Sequence, residues 1–186
     1  MTQVKGSNLK YARDFALERG GEPAWLDVLS RLNDADRSAV QSILASSWCE
    51  LSLQHRVFHA LDVAVRPASP AGTIAEFAEF VAKMDLTRVH RLFLRLHNPA
   101  YVLEKTADYW RRFYDAGQWE VTRVAAESAR GELRGIVDGD PIFCRFLQAY
   151  IREMFRLAGA TIGNVRHTQC VCLGAPSCLY EGRWHE

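Results

Sequence analysis

Along the first two-thirds of the chain, apolar positions recur every three or four residues, the spacing of one helix face; in the last third they mostly alternate. Asn8 is placed to cap an opening helix that runs to Gly20-Gly21, where paired glycines supply a stop. Pro23 stands near the start of a second helix carrying Trp25, Val28, Leu29 and Leu32. Asn33 or Asp34 opens a third, with Val40, Ile43 and Leu44 facing inward, and the pattern from Leu51 to Val65 predicts a fourth that ends before Arg66-Pro67. The stretch RPASPAGT is the most linker-like segment of the chain. Beyond it Ile74, Phe77, Val81 and Met84 predict another helix. Leu103, Ala107, Trp110 and Tyr114 predict the next, begun after Asn98-Pro99 and ended by Gly117.

From there the period changes. QWEVTRVAAE and SARGELRGIV read as two short strands. Asp140-Pro141 is a strong helix start, an N-cap followed by proline in the first turn, and its helix shows Phe143, Leu147, Tyr150, Met154 and Leu157 on one side before Gly159. A hairpin closes the pattern: one strand through Val165 and Cys172, a turn at LGAPS, and a return strand from Cys178 to Trp184. The expected fold class is α+β, a helical N-terminal region (1–70) packed on a C-terminal antiparallel sheet and helix module (71–186), the two forming one compact unit.

Composition narrows the function classes. The 186 residues, 48% hydrophobic, suffice for one good-sized core. With 23 basic against 22 acidic residues, the chain has no electrostatic footprint for nucleic acid or an anionic membrane. No apolar run approaches the roughly 18 residues that span a bilayer, and MTQVKGSNLKYARDF lacks the apolar core of a signal peptide. The expected location is therefore the cytoplasm, where thiols stay reduced.

Three of the five cysteines fall within RHTQCVCLGAPSCLYEGRW. Residues two apart share a strand face, so Cys170 and Cys172 point the same way, and a turn from Leu173 to Ser177 sets Cys172 opposite Cys178. Cys144, on the first turn of the Asp140-Pro141 helix, lies in a row with Leu147, Ile151 and Phe155 that faces the sheet. The best four-ligand set for a structural zinc is Cys144, His167, Cys170 and Cys178. His167 lies three residues from Cys170 and in a regular strand would face away. A bulge near Thr168-Gln169 removes that difficulty, and without one Cys172 is the replacement ligand. Two other readings remain open on spacing alone: buried thiols serving as small core residues, and a Cys172–Cys178 disulfide.

The segment from about Trp110 to Trp184 resembles the 4-vinyl reductase domain, a relative of the TRAPP-subunit and haem-NO-binding folds. The whole chain is similar to a bacterial family with openings like KGSNLKYARDF and endings like VRHTQCVCLGAPSCLYEGRW. Phenol-responsive activators use this domain as a sensor with a zinc held by three cysteines and one acidic residue. Their pattern falls here on Cys144, Cys170 and Cys178, with His167 where the family has the carboxylate. The resemblance implies a zinc-containing sensor of a small apolar or aromatic molecule, acting as a homodimer or through a protein partner. An adaptor without ligand, in the manner of TRAPP subunits, is the alternative, and an enzyme acting on a tetrapyrrole or other aromatic substrate is the third reading.

Other patterns are less directive. Trp110, Phe113, Tyr114 and Trp119 belong to YWRRFYDAGQW, the most aromatic stretch, and can either line an apolar ligand pocket or serve as plain core. His55 and His59 stand four apart, yet Arg56 follows His55, so the HExxH pattern is absent. They read as a polar helix edge or a two-histidine metal pair. Arg88, Arg91 and Arg95, with His90, make a basic row on a predicted helix, read as a solvated face or a surface for an acidic partner. No phosphate-binding glycine loop, GxSxG turn or carboxylate dyad appears, so no catalytic residue is assigned.

Overall fold

The structure, a computed structural model, describes residues 2–87, 99–136 and 138–185. The basic row of Arg88, Arg91 and Arg95 lies outside them. The α+β class holds, with six helices and two antiparallel sheets among the described residues. A short ribbon pairs β1 (Gln3–Lys5) with β2 (Trp48–Glu50), and Val4 also bridges to Tyr114. The main sheet has the order β3-β4-β6-β5, built from β3 (Gln118–Ala125), β4 (Ser128–Arg134), β5 (Thr161–Gln169) and β6 (Cys178–His185).

Helix α1 (Ser7–Ser30) is two helices joined across Gly21, whose φ of 66° is open to glycine and strained for other residues, so the expected stop becomes a kink before Pro23. Asn8 is not a cap. It sits inside the first turn, buried, and its amide donates to Gln54 Oε1 at 3.0 Å and to the Tyr114 hydroxyl at 3.4 Å. Asn33 caps α2 (Asp34–Ser42), accepting the Asp36 N–H at 2.8 Å. That helix ends at Ser42, too early to turn Leu44 inward, and Leu44 is exposed. Helices α3 (Leu51–Ala64), α4 (Thr73–Thr87) and α5 (Pro99–Phe113) follow the predicted periods.

Helix α6 (Pro141–Leu157) begins as expected, the Asp140 carboxylate accepting the Ile142 N–H at 2.8 Å. It is central to the core. Its Phe146 ring meets those of Phe58 at 4.9 Å and Phe77 at 5.5 Å, tying α3 and α4 to it. Toward the sheet, Phe155 stacks on Trp184 of β6 at 5.2 Å. Each such fully buried large apolar side chain stabilises the fold by about 1.5–3 kcal/mol. On β4 and β6 the inward residues Ala129, Gly131, Leu133, Tyr180, Gly182 and Trp184 alternate with outward Arg130, Glu181 and Arg183. One contiguous buried cluster runs from Val4 to Trp184 and draws on all six described helices.

Candidate functional site: a thiol cluster and an aromatic cavity

Two arrangements of chemically capable side chains stand out, and α6 contributes to both. The first is at its amino end. Cys144 Sγ lies 3.6 Å from Cys170 Sγ and 3.8 Å from Cys178 Sγ. His167 completes a group of four whose ligand atoms all lie within 4.8 Å of one another. Pairing between β5 and β6 shifts register between His167 and Gln169, and this bulge turns His167 onto the cysteine side. The His167 ring stacks on Tyr180 at 4.5 Å, and its buried Nε2 has no hydrogen-bond partner.

The strand does not continue to Cys172. It ends at Gln169, and Val171–Leu173 form a 3-10 turn, so Cys172 is not paired across from Cys178; it stands half-buried beside the four, with burial raising its thiol to about 11. The disulfide alternative is corrected too, because all five cysteines are free. The Cys144 thiol, donating toward Cys178, lowers Cys178 to about 5 against the opposing effect of burial; the Val171 N–H, 3.5 Å away, and His167 add to it. Cys144 is pushed far up in turn, by Cys178 and by burial. Three sulfurs and one imidazole nitrogen make a soft donor set of metal-binding type.

The second arrangement is a cavity of about 70 Å³ between α4, α5 and α6. Trp110, Phe113, Tyr114 and Trp119 all line it, joined by Phe146 and Tyr150 from α6 and Asp85 from α4. Trp110 and Tyr114 stack at 4.1 Å, with Trp110 donating to the Ala116 carbonyl at 3.0 Å and Trp119 to Thr106 Oγ1 at 2.8 Å. The Trp119 indole abuts Gly131 of β4, where an added Cβ would meet its Cζ2 at 2.5 Å. Asp85 is the residue the sequence reading missed. The Tyr150 hydroxyl donates to its Oδ2 at 3.2 Å, and burial raises its carboxyl to about 6 against the hydrogen bonds from Tyr11 and Tyr150. A lone acid on an otherwise apolar helix face was its only signal.

His55 and His59 do not form a pair. His55 is buried against the Phe143 ring at 5.7 Å, and desolvation lowers its pKa; His59 turns outward to Asp140 Oδ2 at 3.0 Å.

No family model matches the chain, and no curated protein matches it. Solved structures do. An Fe(II) unliganded H-NOX protein from K. algicida superimposes with a TM-score of 0.72 at 10% identity, over 98% of this chain and 97% of that one. An H-NOX protein from S. oneidensis in the Fe(II)NO state gives 0.72 at 11% identity, over 98% and 100%. The H-NOX domain of Shewanella oneidensis in the Fe(II)CO state gives 0.68 at 11% identity, over 98% and 99%. The likeness shows the fold: this chain has the H-NOX architecture, in keeping with the expected haem-NO-binding relationship. It does not show the narrower 4-vinyl reductase likeness.

The cofactor expectation is corrected at this point. The proteins sharing the fold are described with iron, not zinc, so zinc is withdrawn as this protein's cofactor. Three sulfurs and one nitrogen also suit several soft metals, so the donor set alone does not single out zinc. Nor do the described residues fit a haem. Pockets for drug-sized ligands take roughly 300–1,000 Å³, whereas this cavity offers about 70 Å³. No histidine or cysteine lines it among the described residues, and the Tyr114 and Tyr150 hydroxyls are already hydrogen-bonded.

Proposed function

We propose that the protein is a regulatory sensor in which the cavity beside α5 receives a small, largely apolar or aromatic molecule. The observation behind this reading is the wall itself: Trp110, Phe113, Tyr114 and Trp119 converge on one space instead of filling it. Ligand binding there favours one arrangement of α4, α5 and α6 over another and is read out at a homodimer or partner interface. No helix among the described residues is long and apolar enough to cross a membrane. Titration with phenol, followed by tryptophan fluorescence and thermal shift, tests the proposal. Saturable binding that Phe113→Trp abolishes, by filling the space, is the expected result; no saturable binding by any small apolar compound overturns it.

The likeness to 4-vinyl reductase sensors enters here as part of the same proposal. Cys144, His167, Cys170 and Cys178 hold a soft metal ion that fastens α6 to the β5–β6 hairpin; the orphaned His167 Nε2 among three sulfurs supports this. Protein purified without added metal should contain about one equivalent of one metal, and a strong chelator should lower its melting temperature but not that of His167→Ala. Absence of stoichiometric metal, with Cys144→Ser as stable as the parent, would remove the metal from the proposal while leaving the cavity reading intact.

A further inference from the structure

The cavity has an unusual electrical character for a space walled by aromatic rings. Asp85 lines it, and among the described residues its carboxylate accepts hydrogen bonds from the phenolic hydroxyls of Tyr150, at 3.2 Å, and Tyr11. These two donors account for part of the roughly four acceptor positions of a carboxylate. No basic side chain pairs with Asp85 among the described residues. Its carboxyl is raised to about 6 by burial, so the group is still mainly ionised at neutral pH. Among the described residues the result is a negative charge in a poorly hydrated place with no counter-charge beside it, a costly arrangement that a ligand can relieve.

The rings set the rest of the ligand's chemistry. Tyr109, Trp110, Phe113, Tyr114, Phe146 and Tyr150 line the space with aromatic rings, the side chains whose π-systems attract cations. Inorganic cations are poorly served, because calcium and magnesium demand six or more oxygen ligands, and Asp85 is the only ionised oxygen donor among the described residues that line the space. An anion is repelled. A cation clothed in alkyl groups loses little hydration on entry and meets both the acid and the rings. The free space of about 70 Å³ limits it to a few heavy atoms.

We propose that the molecule received by this cavity is a small organic ammonium ion, its charge set against Asp85 and its alkyl groups against the aromatic wall. The proposal rests on the cavity reading above and adds the sign of the ligand's charge. Half-buried Asp85, Thr106, Tyr109, Phe113 and Tyr150 form the more exposed side of the described lining.

The test compares two probes of nearly equal shape on the full chain at constant ionic strength and pH 7.5: tert-butylammonium chloride and tert-butanol, with affinities measured by ligand-observed NMR. The ammonium ion is expected to bind at least about tenfold tighter, and Asp85→Asn to bring the ratio to about one while tert-butanol still binds. Equal or tighter binding of tert-butanol or phenol in the unmodified protein overturns the ammonium inference and leaves an apolar pocket standing. Failure of all three probes overturns both. Ammonium binding unchanged by Asp85→Asn overturns the role given to that residue. If the variant does not fold, the ratio measured on the unmodified chain still decides.

Discussion

Asp85 shows how one side chain can act against stability. Its carboxyl is raised from 3.8 to about 6 in the folded protein, so between those values the native state binds more protons than the unfolded chain. Stability therefore falls as pH rises from about 4 to about 6 and is flat above. Tyr11 of α1, Tyr109 and Tyr114 of the α5 segment, and Tyr150 of α6 surround the group, and burial raises Tyr109, Tyr114 and Tyr150 above the ordinary phenol range, far from that window. Asp85→Asn should stabilise the protein at pH 7 by up to about 3 kcal/mol and flatten this part of the profile, as measured by urea denaturation at pH 4.5 and 7. Gly131 acts in the opposite sense. The Trp119 indole occupies the place of its missing Cβ, so Gly131→Ala should cost about 1–3 kcal/mol and displace a cavity wall, visible as a lower denaturation midpoint and a shifted tryptophan emission.

At the scale of elements, α6 joins cluster, cavity and core. Its cap is shared: burial works to raise Asp140, yet the Ile142 N–H and His59 hold its carboxyl below the ordinary value, so this contribution is present at neutral pH and is lost as pH falls below about 4. Asp140→Ala should cost about 1–2 kcal/mol at pH 7 and much less at pH 3, as read by thermal denaturation. The helices were legible because caps such as Asp140-Pro141 and apolar stripes such as Phe143, Leu147 and Met154 are local. Shorter features were not. The three-residue strands β1 and β2 have too few positions to show a period, and Leu44 reads as core only if α2 runs one turn further than it does. The spacing of Cys144, His167, Cys170 and Cys178 suggested the cluster, but the bulge that turns His167 inward is a property of pairing with β6, not of the strand's own residues. Asp85 could not be assigned from sequence, because its role depends on rings brought from α5 and α6.

Over the whole molecule, the core is shared between the segments before and after the RPASPAGT stretch, with Phe58 of α3 against Phe146 of α6. The chain should unfold in one transition, the midpoints from tryptophan fluorescence and far-ultraviolet circular dichroism coinciding; two separated midpoints would show independent units. Phe146→Ala, which removes rings shared by both segments, should lower that midpoint by an amount equal to about 3–5 kcal/mol.

The ribbon at the amino end has a further consequence. Val4 is bridged to Tyr114, the Gln3 N–H donates to Asp115 Oδ1 at 2.6 Å, and Tyr114 is itself a wall of the cavity. A fluorophore attached beside Gln3 would therefore report on occupancy from the outside of the protein, with no label placed in the binding space.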